Sequence, residues 1–200
     1  MKKLLSILIG IFFVVSISNV YGEKATKEDS DREVIYEENF DDLEEGEEIG
    51  WNPHTGVKAM TVQKEIAQGK KALKVEPKEG KLEWNLFGIV KDISIINDEA
   101  KISFSYYQKG LSGMALMAKD VVVDENCDFN LPNLVEGKWT KVIASFSKFI
   151  PKGPAMGGKG GKVSKGDEFR NIYIFGVVDP NKPSKDQFFV IDDIKITVKK

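Results

Sequence analysis

The chain has few of the residues on which small scaffolds and many active sites depend. Its 200 residues include one cysteine, Cys127, and one histidine, His54. A single cysteine cannot form an internal disulfide, so the chain is not a miniature scaffold held by disulfides. Without clustered histidines or cysteines, a zinc site would have to rely on carboxylates, and a Cys-His nucleophile pair has no supporting local motif.

An excess of positive charge is also absent. The chain carries 29 basic and 31 acidic residues, for a formal net charge of -2. A nucleic-acid partner would require a basic stripe that displaces counterions from phosphates, so this class of partner is excluded.

The N-terminal segment has the pattern of a secretion signal. Lys2 and Lys3 precede an almost unbroken apolar run over residues 4–15, and small or neutral residues lead to Gly22. This pattern predicts a signal peptide over residues 1–22, and therefore a mature protein that is periplasmic, on the cell surface or extracellular. An uncleaved N-terminal anchor stays open as the alternative, because the apolar stretch is close to the roughly 18 to 20 residues that span a bilayer.

The segment that follows, residues 23–33, contains eight charges and one small apolar residue. Such a composition cannot bury enough apolar surface to offset the entropy lost on ordering, so it predicts a disordered linker. The folded part is then a single domain over residues 34–200, a length that normally buries one core.

Apolar residues in this domain alternate with a period of two, and no amphipathic helix is evident. Leu82, Trp84 and Leu86 share one face of a predicted strand over residues 81–87, which assigns Trp84 to the core. The segment 102–107 alternates in the same way and places Tyr106 in the core. Further predicted strands cover residues 34–40, 57–66, 71–76, 114–123, 139–147, 171–178 and 187–198. Nine or ten short strands predict an all-β sandwich of two sheets.

The last strand contains an acidic residue in an apolar pattern. Strict alternation over residues 187–198 places Asp192 on the same face as Val190 and Ile194, toward the core. An ionised carboxylate left unpaired there would cost several kcal/mol, so we expect hydrogen-bond donors, a basic side chain or a bound cation beside it.

Four motifs, taken in order, resemble those of a known superfamily. They lie at residues 38–42 followed by Gly50 and Trp51, and at residues 69–75, 137–142 and 189–194. Their order over residues 34–200 is similar to that of the jelly-roll carbohydrate-binding modules of the galactose-binding-like superfamily. The resemblance implies a two-sheet antiparallel β-sandwich with jelly-roll topology, in which the first and last strands are neighbours.

The same resemblance implies a structural calcium ion between these two strands. By position, its ligands would include Asp41 and Asp192, and Asp42, Glu38 and backbone carbonyls could complete the shell. The alternative is an inward Asp192 whose oxygens accept hydrogen bonds from backbone amides.

Sugar binding requires exposed aromatic faces together with a few polar groups. Trp51 and His54 lie in the turn-rich segment 49–56, and Tyr107 falls on the serine-bearing face of its strand. These three residues are the predicted ligand-binding residues. Trp139 opens a strand and is assigned to packing.

Two other apparent motifs are weaker. Residues 153–160 nearly match a phosphate-binding loop, but Gly160 stands where Ser or Thr belongs, so residues 152–165 are predicted to form a flexible basic loop. Residues 124–128 have alternating oxygen donors like a calcium loop, but Phe129 stands where the turn glycine belongs. They are predicted to form an acidic surface turn.

The sequence therefore predicts an exported, non-catalytic carbohydrate-binding protein, with no catalytic residue assigned. Two alternatives stay open. One is a structural envelope or appendage protein that self-associates. The other is a small polysaccharide lyase or glycosidase on a concanavalin-like sandwich, because glycosidase chemistry needs only two carboxylates.

Overall fold

The computed structural model describes residues 19–22, 31–44, 49–67, 70–96, 99–122, 124–151, 163 and 168–200. Within these ranges the chain forms strands and three single-turn 3-10 helices. The strands are β1 (Asn19–Gly22), β2 (Arg32–Glu38), β3 (Asn52–Thr55), β4 (Val57–Ala67), β5 (Lys70–Pro77), β6 (Leu86–Ile96), β7 (Lys101–Lys109), β8 (Leu111–Asp120), β9 (Glu125–Asn130), β10 (Thr140–Ser145), β11 (Ile150–Pro151), β12 (Glu168–Val178) and β13 (Phe188–Lys199).

The strands form two sheets. Sheet I has the order β1-β10-β7-β13-β5-β4, with β2 beside the second half of β13, and sheet II has the order β11-β9-β8-β12-β6-β3. Strand β1 runs parallel to β10, whereas the other strand pairs are antiparallel. The prediction of a two-sheet antiparallel sandwich is therefore confirmed.

The core lies between the sheets and follows from strict alternation. In β7, Ile102, Phe104 and Tyr106 are buried while the residues between them are partly exposed. In sheet II, Ile174 and Leu116 face them from β12 and β8. Tyr106 belongs to this core, as predicted.

The first strand of the predicted domain lies beside the last one. Strand β2 pairs with β13 from Glu38 opposite Ile194 to Arg32 opposite Lys199. The Arg32 guanidinium donates to the Thr197 hydroxyl at 2.9 Å and to the Thr197 carbonyl at 3.1 Å. The expected adjacency of these strands is confirmed, and β2 begins at Arg32, inside the segment predicted as a linker.

Residues 19–22 of the predicted signal peptide form β1 on the edge of sheet I. The rest of that segment, and residues 23–30 of the predicted linker, lie outside the described residues. Among the described ranges, no helix is long and apolar enough to cross a bilayer.

Two local predictions are wrong. Residues 83–85 form a 3-10 turn instead of strand, because Trp84 and Asn85 adopt left-handed conformations with φ of 55° and 56°. The predicted acidic turn at residues 124–128 is mostly strand β9, which hydrogen-bonds to β8 and buries Cys127. The predicted basic loop over residues 152–165 lies outside the described residues, apart from Val163.

Candidate functional site

Asp192 does not face the core as the alternation predicted. Its register partner on β7 is Ser105, and Val190 pairs with Tyr107, so these side chains share the outer face of sheet I. A β-bulge follows, in which Asp193 has a φ of 51°, and Lys195 then pairs with Ser103. The extra residue reverses the alternation, so Ile194 and Ile196 point inward whereas Asp192 points outward. Asp192 is nevertheless buried.

The predicted calcium ligands accept backbone hydrogen bonds. Glu38 accepts from the Phe40 N–H at 3.0 Å, Asp41 from the Lys71 N–H at 2.9 Å and Asp192 from the Asp193 N–H at 2.7 Å. Asp42 is exposed.

The Lys71 ammonium donates to the carbonyl of Leu43, two residues after Asp41. In the part of the chain that the structure describes, no group of three or more His, Cys, Asp or Glu side chains could hold a metal. Because calcium takes six to eight oxygen ligands, the predicted set does not fit the ion here.

Trp51, a predicted ligand-binding residue, is 4% exposed and belongs to the core. Its indole N–H donates to the Tyr36 hydroxyl at 3.0 Å. A ring in this position offers almost no face to a ligand, so Trp51 is not part of the surface described below. Burial raises the pKa of Tyr36 to about 12, and the hydrogen bond from Trp51 opposes this increase.

His54 lies on β3, three residues after Trp51, and is exposed. Its ring meets Tyr173 edge-on, with centroids 4.8 Å apart, and lies 5.8 Å from the Phe175 ring. Tyr173 and Phe175 stack with centroids 5.7 Å apart and an interplanar angle of 7°. The structure therefore places His54 in an aromatic cluster whose other members the sequence analysis missed.

A glycine makes room for this cluster. Gly88 on β6 is the register partner of Phe175 on β12. A Cβ atom at Gly88 would lie 2.4 Å from Phe175 Cδ1 and 2.6 Å from the Ile174 carbonyl oxygen. The Phe175 ring can lie against the sheet only because residue 88 has no side chain.

Polar side chains share this surface. The sheet register pairs Tyr173 with Met117 on β8, and Met117 with Asp128 on β9. In the neighbouring row it pairs Phe175 with Ala115, and Ala115 with Asn130. Strands lie about 4.8 Å apart, so these polar groups are about 10 Å from the aromatic rings. We call this surface the His54 face, comprising His54, Tyr173, Ala115, Met117, Asn126, Asp128 and Asn130. Phe175 is 6% exposed and packs against the Tyr173 and His54 rings from within the sheet surface.

Tyr107, the third predicted ligand-binding residue, lies on the opposite side of the molecule. On the outer face of sheet I its ring stacks on Phe188 with centroids 6.1 Å apart, and Trp139 lies 6.0 Å away. The Lys74 ammonium lies 4.6 Å from the centre of the Phe188 ring. These four residues, the Tyr107 cluster, surround the buried Val190 and Ala72. The prediction that Trp139 packs is confirmed.

Trp84 is 82% exposed, so its assignment to the core is wrong. Its indole N–H donates to Glu83 at 3.2 Å. The turn that holds Trp84 leads into β6 at Leu86, which pairs with Val177 at one end of sheet II.

No protein-family model matches the chain, and no curated protein sequence matches it. Several solved structures do resemble it.

The family 11 carbohydrate-binding module from Clostridium thermocellum, solved with a β-1,3-1,4-mixed-linked tetrasaccharide, superposes with a TM-score of 0.51. It is 17% identical, over 80% of this chain and 94% of that one. The xylan-binding domain of family 22 gives a TM-score of 0.53 at 12% identity, over 83% and 95% of the two chains.

The family 22 tandem domain of Paenibacillus barcinonensis Xyn10C gives 0.54 at 15% identity, over 92% of this chain and 49% of that one. The chain therefore has the jelly-roll β-sandwich fold of these carbohydrate-binding modules, as its sequence motifs predicted.

Proposed function

We propose that the chain is an exported, non-catalytic protein that binds carbohydrate on the His54 face. The observation that carries the proposal is the pairing of the exposed His54 with Tyr173, 4.8 Å apart, on the outer surface of sheet II. This arrangement offers ring surface to a ligand without a deep cavity.

A sugar ring has apolar C–H faces and a rim of hydroxyl groups. Aromatic rings suit the faces, whereas carboxylates and side-chain amides suit the hydroxyls. Asp128 and Asn130 lie across β8 from the aromatic rings, and the strand between them presents Met117 and Ala115. A sugar placed on β8 would have aromatic groups on one side and hydrogen-bonding groups on the other.

The fold supports the same proposal. Two structural neighbours are a module solved with a mixed-linked tetrasaccharide and a xylan-binding domain. At these sequence identities the likeness extends to the fold alone, so the ligand of this chain has to be found by experiment. The N-terminal sequence supports export, which would bring the protein to extracellular polysaccharides.

Binding to mixed-linked β-glucan and to xylan, measured by affinity electrophoresis and calorimetry, tests the proposal. We expect one of them to bind the unsubstituted protein, and we expect His54→Ala and Tyr173→Ala each to weaken binding at least tenfold. Tyr107→Ala, on the opposite face, should bind normally once its thermal melt shows that it is folded.

Equal binding by the Tyr173→Ala variant would contradict the proposed face, and binding to neither polysaccharide would contradict the proposed function. Release of soluble sugar from either polymer would instead support the enzymatic alternative.

A further inference from the structure

The His54 face ends in a cleft of about 540 Å³ at one end of the sandwich. Register places Gly113, Val177 and Asn130 in the last rows of the face, and all three line the cleft. The other side of the cleft comes from the segment after β9, including Leu131, Asn133 and Leu134. A ligand that follows the face in this direction therefore reaches the cleft.

The segment that walls the cleft crosses from sheet II to sheet I, and it is held at both ends. At its start the Leu131 N–H donates to the Met114 carbonyl at 3.0 Å. At its end the Gly137 N–H donates to the Gln108 carbonyl at 2.9 Å, and Glu136 accepts from the Gly110 N–H at 3.0 Å. Because these bonds exist without ligand, little ordering cost would accompany binding.

The lining combines apolar and polar groups. Leu134 and Val177 are partly exposed and supply apolar surface, whereas Asn130 and Asn133 supply amide groups. An amide can both donate to and accept from hydroxyls. The last sugar of a chain offers one more hydroxyl than an internal sugar, so this lining suits a chain end.

We propose that the cleft receives the terminal sugar of a glycan whose chain lies along the His54 face, so that the protein recognises chain ends. The inference rests on the proposed function. The crossing segment lines the cleft together with Asn130 and Val177, so a chain that runs along the face meets this segment at the end of the sandwich.

The experiment uses whichever polysaccharide, mixed-linked β-glucan or xylan, binds the protein in the assays of the proposed function. Limited endo-cleavage of that polymer makes about ten times more chains at unchanged total mass. An end-binding protein should find about ten times more sites per unit mass, as measured by calorimetric stoichiometry. An unchanged or smaller number of sites would overturn the inference while leaving the proposed function intact.

A variant at the cleft links this effect to the structure. Asn133 has a φ of 51°, so Asn133→Gly removes the amide without straining the backbone. We expect Asn133→Gly to weaken binding to the cleaved polymer at least tenfold.

The matched control is Asn171→Gly, since Asn171 also has a left-handed φ, of 54°, and lies six residues from Val177, roughly 20 Å along β12. Asn171→Gly should keep the preference for cleaved polymer. Retention of that preference by Asn133→Gly, or equal loss in both variants, would overturn the inference. The weaker binding expected of His54→Ala and Tyr173→Ala tests the proposed function separately.

Discussion

The two outer surfaces of the sandwich both carry aromatic rings, but the rings have different surroundings. On sheet I, the Tyr107 ring contacts both Trp139 and Phe188 beside the buried Val190. On sheet II, Tyr173 stacks on Phe175 and meets the exposed His54 edge-on.

The neighbours of the rings separate the two surfaces further. In the Tyr107 cluster a lysine lies over Phe188, and this lysine is paired with Glu76 at 2.9 Å. On the His54 face, amide and carboxylate side chains lie across a strand of apolar residues. We therefore place the proposed binding surface where exposed rings and hydrogen-bonding groups share one face of a sheet.

The largest effect should come from Gly88→Ala. The new Cβ would meet both the Phe175 ring and the Ile174 backbone, so we expect a loss of about 1–3 kcal/mol in unfolding free energy. Glycan binding should also fall, because the displaced ring lies beside Tyr173. Chemical denaturation and calorimetry measure the two effects.

Gly113→Ala is the matched control on the same face, since its Cβ would meet only the Val177 side chain, at 3.1 Å. We expect a smaller loss of stability. Equal losses in both variants would show that Phe175 is not held as described.

Replacing one tyrosine on each outer surface with alanine tests the comparison directly. Tyr107→Ala should lower the unfolding free energy by about 2 kcal/mol, because two ring contacts are lost, and should leave glycan affinity unchanged. Tyr173→Ala should lower affinity at least tenfold, which is about 1.4 kcal/mol. The reverse assignment of effects would move the binding surface to sheet I.

The hydrogen-bonded pair of Tyr36 on β2 and Trp51, just before β3, gives a smaller, pH-dependent effect. Folding raises the pKa of Tyr36 to about 12, whereas the unfolded phenol ionises near pH 10. The unfolded state therefore releases a proton first, and stability should fall as the pH rises from about 10 to about 12.

Tyr36→Phe should show a shallower decline over this range, as measured by denaturation at several pH values. An identical slope in both proteins would contradict the raised pKa. The result matters for the His54 face because the Trp51 bond to Tyr36 fixes the residue that precedes β3.

Chelation should have the smallest effect. Glu38, Asp41 and Asp192 accept backbone hydrogen bonds, so we expect EDTA to leave the Tm unchanged. A lower Tm that calcium restores would instead support the calcium ion expected from the sequence resemblance. Glycan binding with and without EDTA shows whether any such ion concerns the His54 face.

Much of the fold was predictable, because alternation directly reports which residues face a core. Tyr106 was assigned correctly in this way. The errors arise where the backbone breaks the alternation without changing the sequence pattern. Trp84 has the spacing of a core residue but lies in a left-handed turn, and Asp192 precedes a bulge.

The site was less predictable for a related reason. His54 was identified, but Tyr173 and Phe175 alternate with Ile172 and Ile174, so both faces of β12 read as apolar. Nothing local decides which set points outward. The available signal was that β12 carries aromatic residues on one face and isoleucines on the other. Since one face of each strand in a sandwich points outward, the aromatic face was a candidate for the outer surface.

Strand β1 has a practical consequence for recombinant material. Processing after Gly22, as the N-terminal pattern predicts, would detach the four residues that lie parallel to Thr140–Ser145. In a preparation that starts at residue 23, β10 would be the edge strand of sheet I. In one that keeps residues 19–22, β1 would be the edge strand. Hydrogen exchange at Lys141 and Ile143 would distinguish them, and sizing data from one form should not be transferred to the other.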